Sequence, residues 1–181
     1  MNNQKYIETN PTSRKDLIEK AKLIRQVYNV TGNFFPILDI LNDLSLKNKL
    51  DYIVVEDDSE LFVKDELAHY DFNDNLIYVK TSVWAEAEKN IGRSRFTLTH
   101  EFAHYLLLNV FGFGYKLVDI KPQAFKDPDW QADYLAAALL MDFDLTQGFT
   151  VEQLITECGV SEEAALVHIS AVNALKLKPR N

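Results

Sequence analysis

Cysteine is nearly absent from this chain of 181 residues, in which Cys158 is the single one. One thiol cannot close a disulfide within the chain, and it cannot build a zinc site from cysteine ligands. The six glycines form no phosphate-binding pattern and the sequence contains no flexible linker. We therefore expect residues 1–181 to form one domain, in a protein of a reducing compartment. The sequence does not indicate nucleotide binding.

Basic residues are also in deficit. Lys and Arg number 19 against 27 Asp and Glu, which gives a net charge of −8 and no general attraction to nucleic acid or anionic lipid. No run approaches the ~18 consecutive apolar residues of a membrane span, and residues 1–6 lack the apolar run of a signal peptide. We expect a cytoplasmic protein with no direct nucleic-acid partner and no membrane partner, and its oligomeric state is left open.

Apolar residues make up 47% of the chain, and their spacing predicts an α+β domain. Steps of three and four residues predict helices over 14–28, 36–45, 95–108, 129–141, 151–157 and 161–175. Short β-branched and aromatic runs at 52–55, 61–63 and 76–79 predict a small, mainly antiparallel, three-stranded sheet. Residues 1–10 are expected to be flexible, and residues 150–181 are expected to form a C-terminal helix pair packed on the domain.

The most specific signal is a His-Glu-x-x-His motif within an apolar helix. His100 and His104 are four residues apart, so their imidazoles lie on one helix face and can bind one metal ion. Glu101 is then placed to act as the general base on water activated by that metal. The pattern predicts a metal-dependent hydrolase.

A catalytic zinc ion normally has three protein ligands, and the third must come from elsewhere in the chain. Asp129 and Asp133 open the next long helix at positions i and i+4, following Pro128. We expect Asp129 to face the metal and Asp133 to hydrogen-bond the outer nitrogen of a ligand histidine. Asp127 is the fallback ligand, two residues upstream.

Other residues that could bind metal or stabilise charge lie outside these patterns. His69 and His168 are interpreted as surface or core-edge residues. An oxyanion donor is not identified, and three tyrosines near the motifs are given no role: Tyr105, Tyr115 and Tyr134.

Two segments carry a resemblance to a known family. RSRFTLTHEFAH at 93–104 and WQADYLAAALLM at 130–141 resemble the ImmA/IrrE family of metallo-endopeptidases, in an element order that covers nearly the whole chain. The resemblance implies a gluzincin-like His-Glu-x-x-His helix, zinc as the cofactor, ligands His100 and His104, and Glu101 as the base. It also implies that a protein is the substrate, namely a transcriptional repressor of the helix-turn-helix type.

The chain departs from the family pattern at two positions. Asp129 stands where the family usually has a glutamate ligand, and an aspartate is shorter by one methylene, about 1.5 Å. The metal must then sit closer to the second helix or be reached through water, and a shorter oxygen ligand could favour manganese over zinc. Asp142 follows Met141 where the family usually has proline, which predicts a different helix exit.

Two further functions compete with the peptidase. A degenerate member of the family would keep the fold and bind a repressor or another partner without cleaving it, and Asp129 keeps that interpretation open. A DNA-binding regulator would use the helix-turn-helix cadence of residues 150–175. The second helix of that pair has Glu162 and Glu163 and no Lys or Arg up to Leu175, which argues against DNA and favours a structural pair with Ser161 as N-cap.

Overall fold

The computed structural model describes residues 5–176, which form a mixed α+β fold, as the sequence predicted. The helices are α1 (Arg14–Val27), α2 (Ile37–Leu46), α3 (Thr81–Glu88), α4 (Gly92–Tyr105), α5 (Pro128–Leu140), α6 (Val151–Gln153) and α7 (Glu162–Lys176). The strands are β1 (Tyr6–Thr9), β2 (Asp51–Val55), β3 (Ala68–Asp71), β4 (Leu76–Lys80) and β5 (Tyr115–Val118). Single π-helical turns continue α4 over Leu106–Val110 and α6 over Leu154–Cys158.

Helix α1 shows how local sequence sets an element. Ser13 Oγ accepts a hydrogen bond from the backbone N–H of Asp16 at 3.1 Å, and the Asp16 carboxylate accepts one from the N–H of Ser13 at 3.3 Å. This reciprocal cap satisfies two N–H groups that a helix start leaves unpaired. The apolar stripe predicted from the spacing is the buried face of the helix: Leu17, Ile18, Ala21 and Ile24.

The three-stranded sheet has the order β2-β4-β3 and is mixed rather than mainly antiparallel. Strand β2 pairs with β4 in parallel, with Asp51 opposite Leu76, whereas β3 pairs with β4 antiparallel, with Asp71 opposite Leu76. The prediction of a mainly antiparallel sheet was therefore wrong. A short turn joins β3 to β4 directly, so β2 is left to pair with the other edge of β4.

The predicted strand at 61–63 is not formed, and its place in the sheet is taken by β3. Leu61 and Val63 are 54% and 71% exposed, in a turn-rich connection. Strand β3 follows this connection and ends at Asp71, whose Oδ1 accepts a hydrogen bond from the N–H of Asn73 at 2.8 Å. Asn75, in the left-handed region with φ of 53°, completes the turn into β4.

A second sheet is a two-stranded ribbon of β1 and β5 that the sequence did not predict. The strands are antiparallel, with Tyr6 opposite Val118 and Thr9 opposite Tyr115. The expectation of flexibility over 1–10 is thus corrected for Tyr6–Thr9, and residues 1–4 lie outside the described residues. Four-residue strands paired over 100 residues apart carry almost no local signal, because only the partner strand satisfies their backbone groups.

Helix α3 was also missed. It begins directly after β4 and is only eight residues long, with Val83 and Ala87 as its buried residues. One i,i+4 apolar pair is too short a pattern to reveal a helix. In the structure α3 packs against α4 and β4, so tertiary contacts stabilise it.

The turn before α7 packs against the beginning of α4, where Gly92 lies close to the backbone of Val160 and Ser161. Arg95 is 1% exposed and donates hydrogen bonds to the backbone oxygens of Phe35 at 2.8 Å and Gly159 at 3.0 Å. Ser161 caps α7 as predicted, its Oγ accepting from the N–H of Ala164 at 3.2 Å. Residues 177–181 of the expected helix pair lie outside the described residues.

Helices α4 and α5 pack against each other in the hydrophobic core. Buried apolar side chains from both helices belong to one cluster with those of α1 and α2, including Leu98, Phe102, Leu135 and Leu139. Helix α5 ends at Leu140 with the buried Met141 as its C-cap, and Asp142 Oδ1 then accepts hydrogen bonds from the N–H groups of the following turn. Within residues 5–176, no helix is both long and apolar enough to cross a membrane.

Candidate metal centre

His100 and His104 lie on one face of α4, in the last turns of the helix. Their Nε2 atoms are 3.0 Å apart, and their rings meet edge to face with centroids 4.7 Å apart. Their spacing of four residues, one helical turn, produces this convergence, as the motif predicted. Both rings are largely shielded from solvent, so their polar nitrogens need partners.

Asp129 brings a carboxylate from α5 to the same point. Its Oδ1 is 3.4 Å from Nε2 of His104, and the three ligand atoms of His100, His104 and Asp129 all lie within 4.8 Å of one another. The Asp129 side chain is 80% exposed, so the group opens to solvent on this side. The three residues that the sequence singled out as ligands are therefore neighbours in the structure.

Asp127, the fallback ligand, has a different role. Its Oδ1 accepts hydrogen bonds from the N–H groups of Asp129 at 3.0 Å and Trp130 at 3.2 Å. It is the N-cap of α5, with Pro128 at the first helical position. The cap sets where α5 begins and thereby puts Asp129, rather than Asp127, beside the histidines.

The spacing of these ligand atoms fits a small divalent cation. Ligand bonds of about 2.0–2.1 Å in a tetrahedral zinc site put neighbouring ligand atoms about 3.3 Å apart. The distances from Nε2 of His104 are 3.0 Å to Nε2 of His100 and 3.4 Å to Oδ1 of Asp129. Two imidazole nitrogens and one carboxylate oxygen are also the donor set of a catalytic zinc that keeps one position open.

The outer nitrogen of each histidine is held by a different partner. Nδ1 of His100 is 2.8 Å from Oδ1 of Asp133, as predicted, and Nδ1 of His104 is 3.0 Å from the hydroxyl oxygen of Tyr115. Because a carboxylate can only accept, the first bond places the His100 proton on Nδ1 and leaves an Nε2 lone pair facing His104. A cation between the two Nε2 atoms would satisfy both rings.

The pKa values of the two histidines are shifted in opposite directions. Burial lowers the pKa of His100, but the carboxylates of Asp133, Glu101 and Asp129 outweigh it and the net shift is upward. Burial is also the largest influence on His104 and leaves its pKa below the usual value, despite the opposing pull of Asp129. The hydrogen bond to His104 in turn lowers the pKa of Asp129.

Glu101 is buried beside this group, next in sequence to His100. Its Oε2 accepts a hydrogen bond from the backbone N–H of Tyr70 on β3 at 2.8 Å. Burial raises the pKa of Glu101 to about 7, against the lowering effect of His100 and of the Tyr70 N–H. Within the described residues the bond to Tyr70 fixes one carboxylate oxygen, and Oε1 makes no hydrogen bond to protein.

Sequence reasoning missed two contributors, Tyr70 and Tyr115. Tyr70 acts through its backbone N–H, which carries no side-chain signature, and its hydroxyl accepts a hydrogen bond from Asn109 Nδ2 at 2.6 Å. Tyr115 lies on a four-residue strand without a motif, and burial raises its pKa well above the usual value. Tyr115 was noted from the sequence as one of three tyrosines near the motifs, but nothing in the local sequence indicated its contact with His104, and nothing distinguished Tyr70.

The remaining histidines and the cysteine are outside the metal group. His69 on β3 packs against Phe62 and Tyr78 and lies 3.5 Å from a carboxylate oxygen of Glu66. His168 is 2% exposed on α7, and Cys158 is fully buried at the end of the π-helical turn that follows α6. His69 agrees with the expected position at the edge of the core, whereas His168 is buried in the core, so that prediction was wrong for His168.

Comparison with known proteins identifies no relative of this chain. No family model matches the chain, and no curated protein matches it.

Proposed function

We propose that this chain is a metal-dependent endopeptidase of the ImmA/IrrE type, with zinc as its metal and manganese as an alternative. The observation that carries the proposal is the convergence of His100, His104 and Asp129 beside the buried carboxylate of Glu101. The histidine pair and glutamate come from one helix, and the third ligand comes from the next long helix. The sequence resemblance implies a gluzincin-like arrangement, and this placement of the residues supports the proposal.

The chemistry divides between the metal and the protein. When bound, zinc acts as a Lewis acid that lowers the pKa of a water molecule and polarises a carbonyl oxygen. Glu101 takes the proton of the attacking water on Oε1 and delivers it to the nitrogen of the leaving amine. The Tyr70 N–H holds the other carboxylate oxygen in place, so Oε1 is free for this transfer. Asp133 keeps the His100 proton on Nδ1.

The substrate part of the proposal rests on the resemblance. A helix-turn-helix repressor in the cytoplasm is the expected partner, and its cleavage would release the genes that it represses. Direct DNA binding by this chain is not proposed, because α7 begins with Glu162 and Glu163 and offers no Lys or Arg up to Leu175 to contact bases or phosphates.

The first experiment measures bound metal. Wild type, His104→Ala and His69→Ala are purified without added metal, and zinc and manganese are measured by elemental analysis. We expect about one equivalent in wild type and in His69→Ala, whose histidine lies outside the metal group, and a large loss in His104→Ala. Wild type that holds no metal and takes up none on titration with zinc chloride would overturn the proposal.

The second experiment tests cleavage with Glu101→Gln as the matched control. This change keeps both imidazoles and the size of the side chain but removes the base, so we expect metal content to be retained and cleavage to fall by about 10²–10⁴-fold. New protein N-termini are profiled in cells that express either form. Metal-loaded wild type whose profile equals that of Glu101→Gln would favour the degenerate, partner-binding alternative.

A further inference from the structure

The two metal-facing histidines have chemically different supports. Behind His100 stands the carboxylate of Asp133, and behind His104 stands the neutral hydroxyl of Tyr115. A histidine that binds metal through Nε2 must carry its proton on Nδ1, and an acceptor at Nδ1 fixes that tautomer and the ring orientation. The hydroxyl oxygen of Tyr115, 3.0 Å from Nδ1 of His104, is placed to be that acceptor.

Tyr115 is held in place by the ribbon of β1 and β5. It lies opposite Thr9, which is 5% exposed, and the neighbouring pair of Lys116 and Glu8 is linked by an ion pair of 3.4 Å. The Tyr115 ring also meets Phe72 edge to face, with centroids 6.2 Å apart. Contacts on several sides therefore limit the positions that its hydroxyl can occupy.

A neutral hydrogen-bond acceptor at Nδ1 of His104 is more favourable than a second carboxylate would be. His104 already faces the carboxylate of Asp129 at 3.4 Å, and Asp133 adds negative charge nearby. A phenol oxygen accepts the Nδ1 hydrogen bond without adding another charge to this group. It can fix the orientation of the ring while leaving the charge of the site unchanged.

We propose that Tyr115 is a positioning residue of the metal centre, which fixes the Nδ1–H tautomer of His104 and aims its Nε2 at the metal. The proposal rests on the proposed function and adds to it a residue from outside the two motif helices. Through Tyr115, the N-terminal strand β1 becomes part of the support of the site.

The test compares Tyr115→Phe with Tyr134→Phe. Each change removes one hydroxyl, but the Tyr134 hydroxyl is buried without a hydrogen-bond partner within the described residues. In zinc-loaded protein, ¹⁵N NMR of the imidazoles reports the hydrogen bond that each Nδ1–H makes. We expect the Nδ1–H signal of His104 to move toward that of an imidazole without a hydrogen-bond acceptor in Tyr115→Phe and to be unchanged in Tyr134→Phe, with His100 unchanged in both.

The second readout is zinc affinity, measured by competition with a chelator. Loss of a support behind a ligand histidine typically weakens binding by about 10–100-fold, and we expect this range for Tyr115→Phe and no change for Tyr134→Phe. The visible spectrum of the cobalt-loaded variant is expected to change as well. An unchanged Nδ1–H signal of His104, with unchanged zinc affinity and an unchanged cobalt spectrum, in Tyr115→Phe would overturn the inference.

The two proposals fail in different ways. Weaker zinc binding and a changed Nδ1–H signal of His104 in Tyr115→Phe, together with a wild type that binds zinc but cleaves no protein, would support the role of Tyr115 and overturn the proposed peptidase. Zinc-dependent cleavage by wild type that Tyr115→Phe retains in full, with unchanged zinc affinity, would overturn the role of Tyr115 and leave the proposed function standing.

Discussion

Asp133 lies one helical turn after Asp129 on α5, and its Oδ1 is 2.8 Å from Nδ1 of His100 on α4. Asp133 therefore contacts the outer nitrogen, Nδ1, of His100, and Asp129 lies beside the inner nitrogen, Nε2, of His104. A carboxylate behind a ligand histidine fixes its tautomer and raises its basicity. This relationship connects the two motif helices independently of any bound ion.

Replacing Asp133 with asparagine is expected to weaken zinc binding. Asparagine keeps the size of the side chain but loses the charge, and its amide can present a donor to Nδ1 instead of an acceptor. We expect a loss of about 10-fold or more in zinc affinity, measured by chelator competition. Asp144→Asn, which makes the same charge change at a residue that pairs with Lys22, should bind zinc like wild type. Equal affinity in Asp133→Asn and Asp144→Asn would contradict the role of Asp133.

The two aspartates at the start of α5 are expected to separate metal binding from helix stability. Asp129→Ala removes the carboxylate that faces His104 and should lower metal content sharply with little change in thermal stability. Asp127→Ala removes the N-cap and should lower the free energy of unfolding by about 1 kcal/mol, with a smaller loss of metal. Elemental analysis and thermal denaturation of both variants distinguish these effects. Wild-type metal content in Asp129→Ala would place the third ligand elsewhere.

Gly92 is expected to tolerate no side chain. A Cβ at this position would lie 2.8 Å from Cα of Val160 and closer still to the Val160 carbonyl carbon, both of which are backbone atoms. Gly92→Ala should therefore force α4 away from the turn before α7 and destabilise the fold by about 1–3 kcal/mol in denaturant titration. Gly32→Ala is the matched control, since a Cβ there meets nothing within 4 Å. Equal stability of the two variants would mean that α4 and α7 are less closely packed than described.

Buried His168 is expected to make stability depend on pH in the acidic range. Burial lowers its pKa from 6.5 to about 4, with a small opposing effect of Asp142. Its Nε2 is 2.8 Å from Thr146 Oγ1, and among residues 5–176 its buried Nδ1 has no hydrogen-bond partner, so a second proton on the ring would have no acceptor there.

The sign of the effect follows from the two pKa values. Between pH 6.5 and about 4 the unfolded chain binds a proton at this residue and the folded chain does not, so stability falls as the pH falls. The loss attributable to His168 is roughly 3 kcal/mol once the pH is below both values. Denaturant titrations across this range should show a smaller loss for His168→Gln than for wild type, whereas His69→Gln should behave as wild type. The same pH slope in wild type and His168→Gln would contradict this account.

Local geometry explains which parts of the site could be predicted from sequence. His100 and His104 converge because residues four apart share a helix face, and α4 forms from a pattern contained within fourteen residues. The same argument applies to Asp129 and Asp133 on α5. The capping role of Asp127 is also local, but it became distinguishable from ligation only when the start of α5 was known.

The less successful predictions concern contacts between distant segments. The parallel pairing of β2 with β4, the strand at Ala68–Asp71 and the ribbon of β1 with β5 all depend on backbone partners that the local sequence does not specify. Helix α3 is stabilised by packing rather than by its own pattern.

The sequence by itself determined the two motif helices, the chemical types of the candidate ligands and base, and the acidic character of the chain. Only the tertiary structure decided that α5 meets α4 with Asp129 at the histidines, that the Tyr70 N–H holds Glu101, and that Tyr115 stands behind His104. The physical reason is that i,i+4 spacing within one helix is fixed by helix geometry, whereas contacts between residues of different elements are fixed by the packing of the whole core.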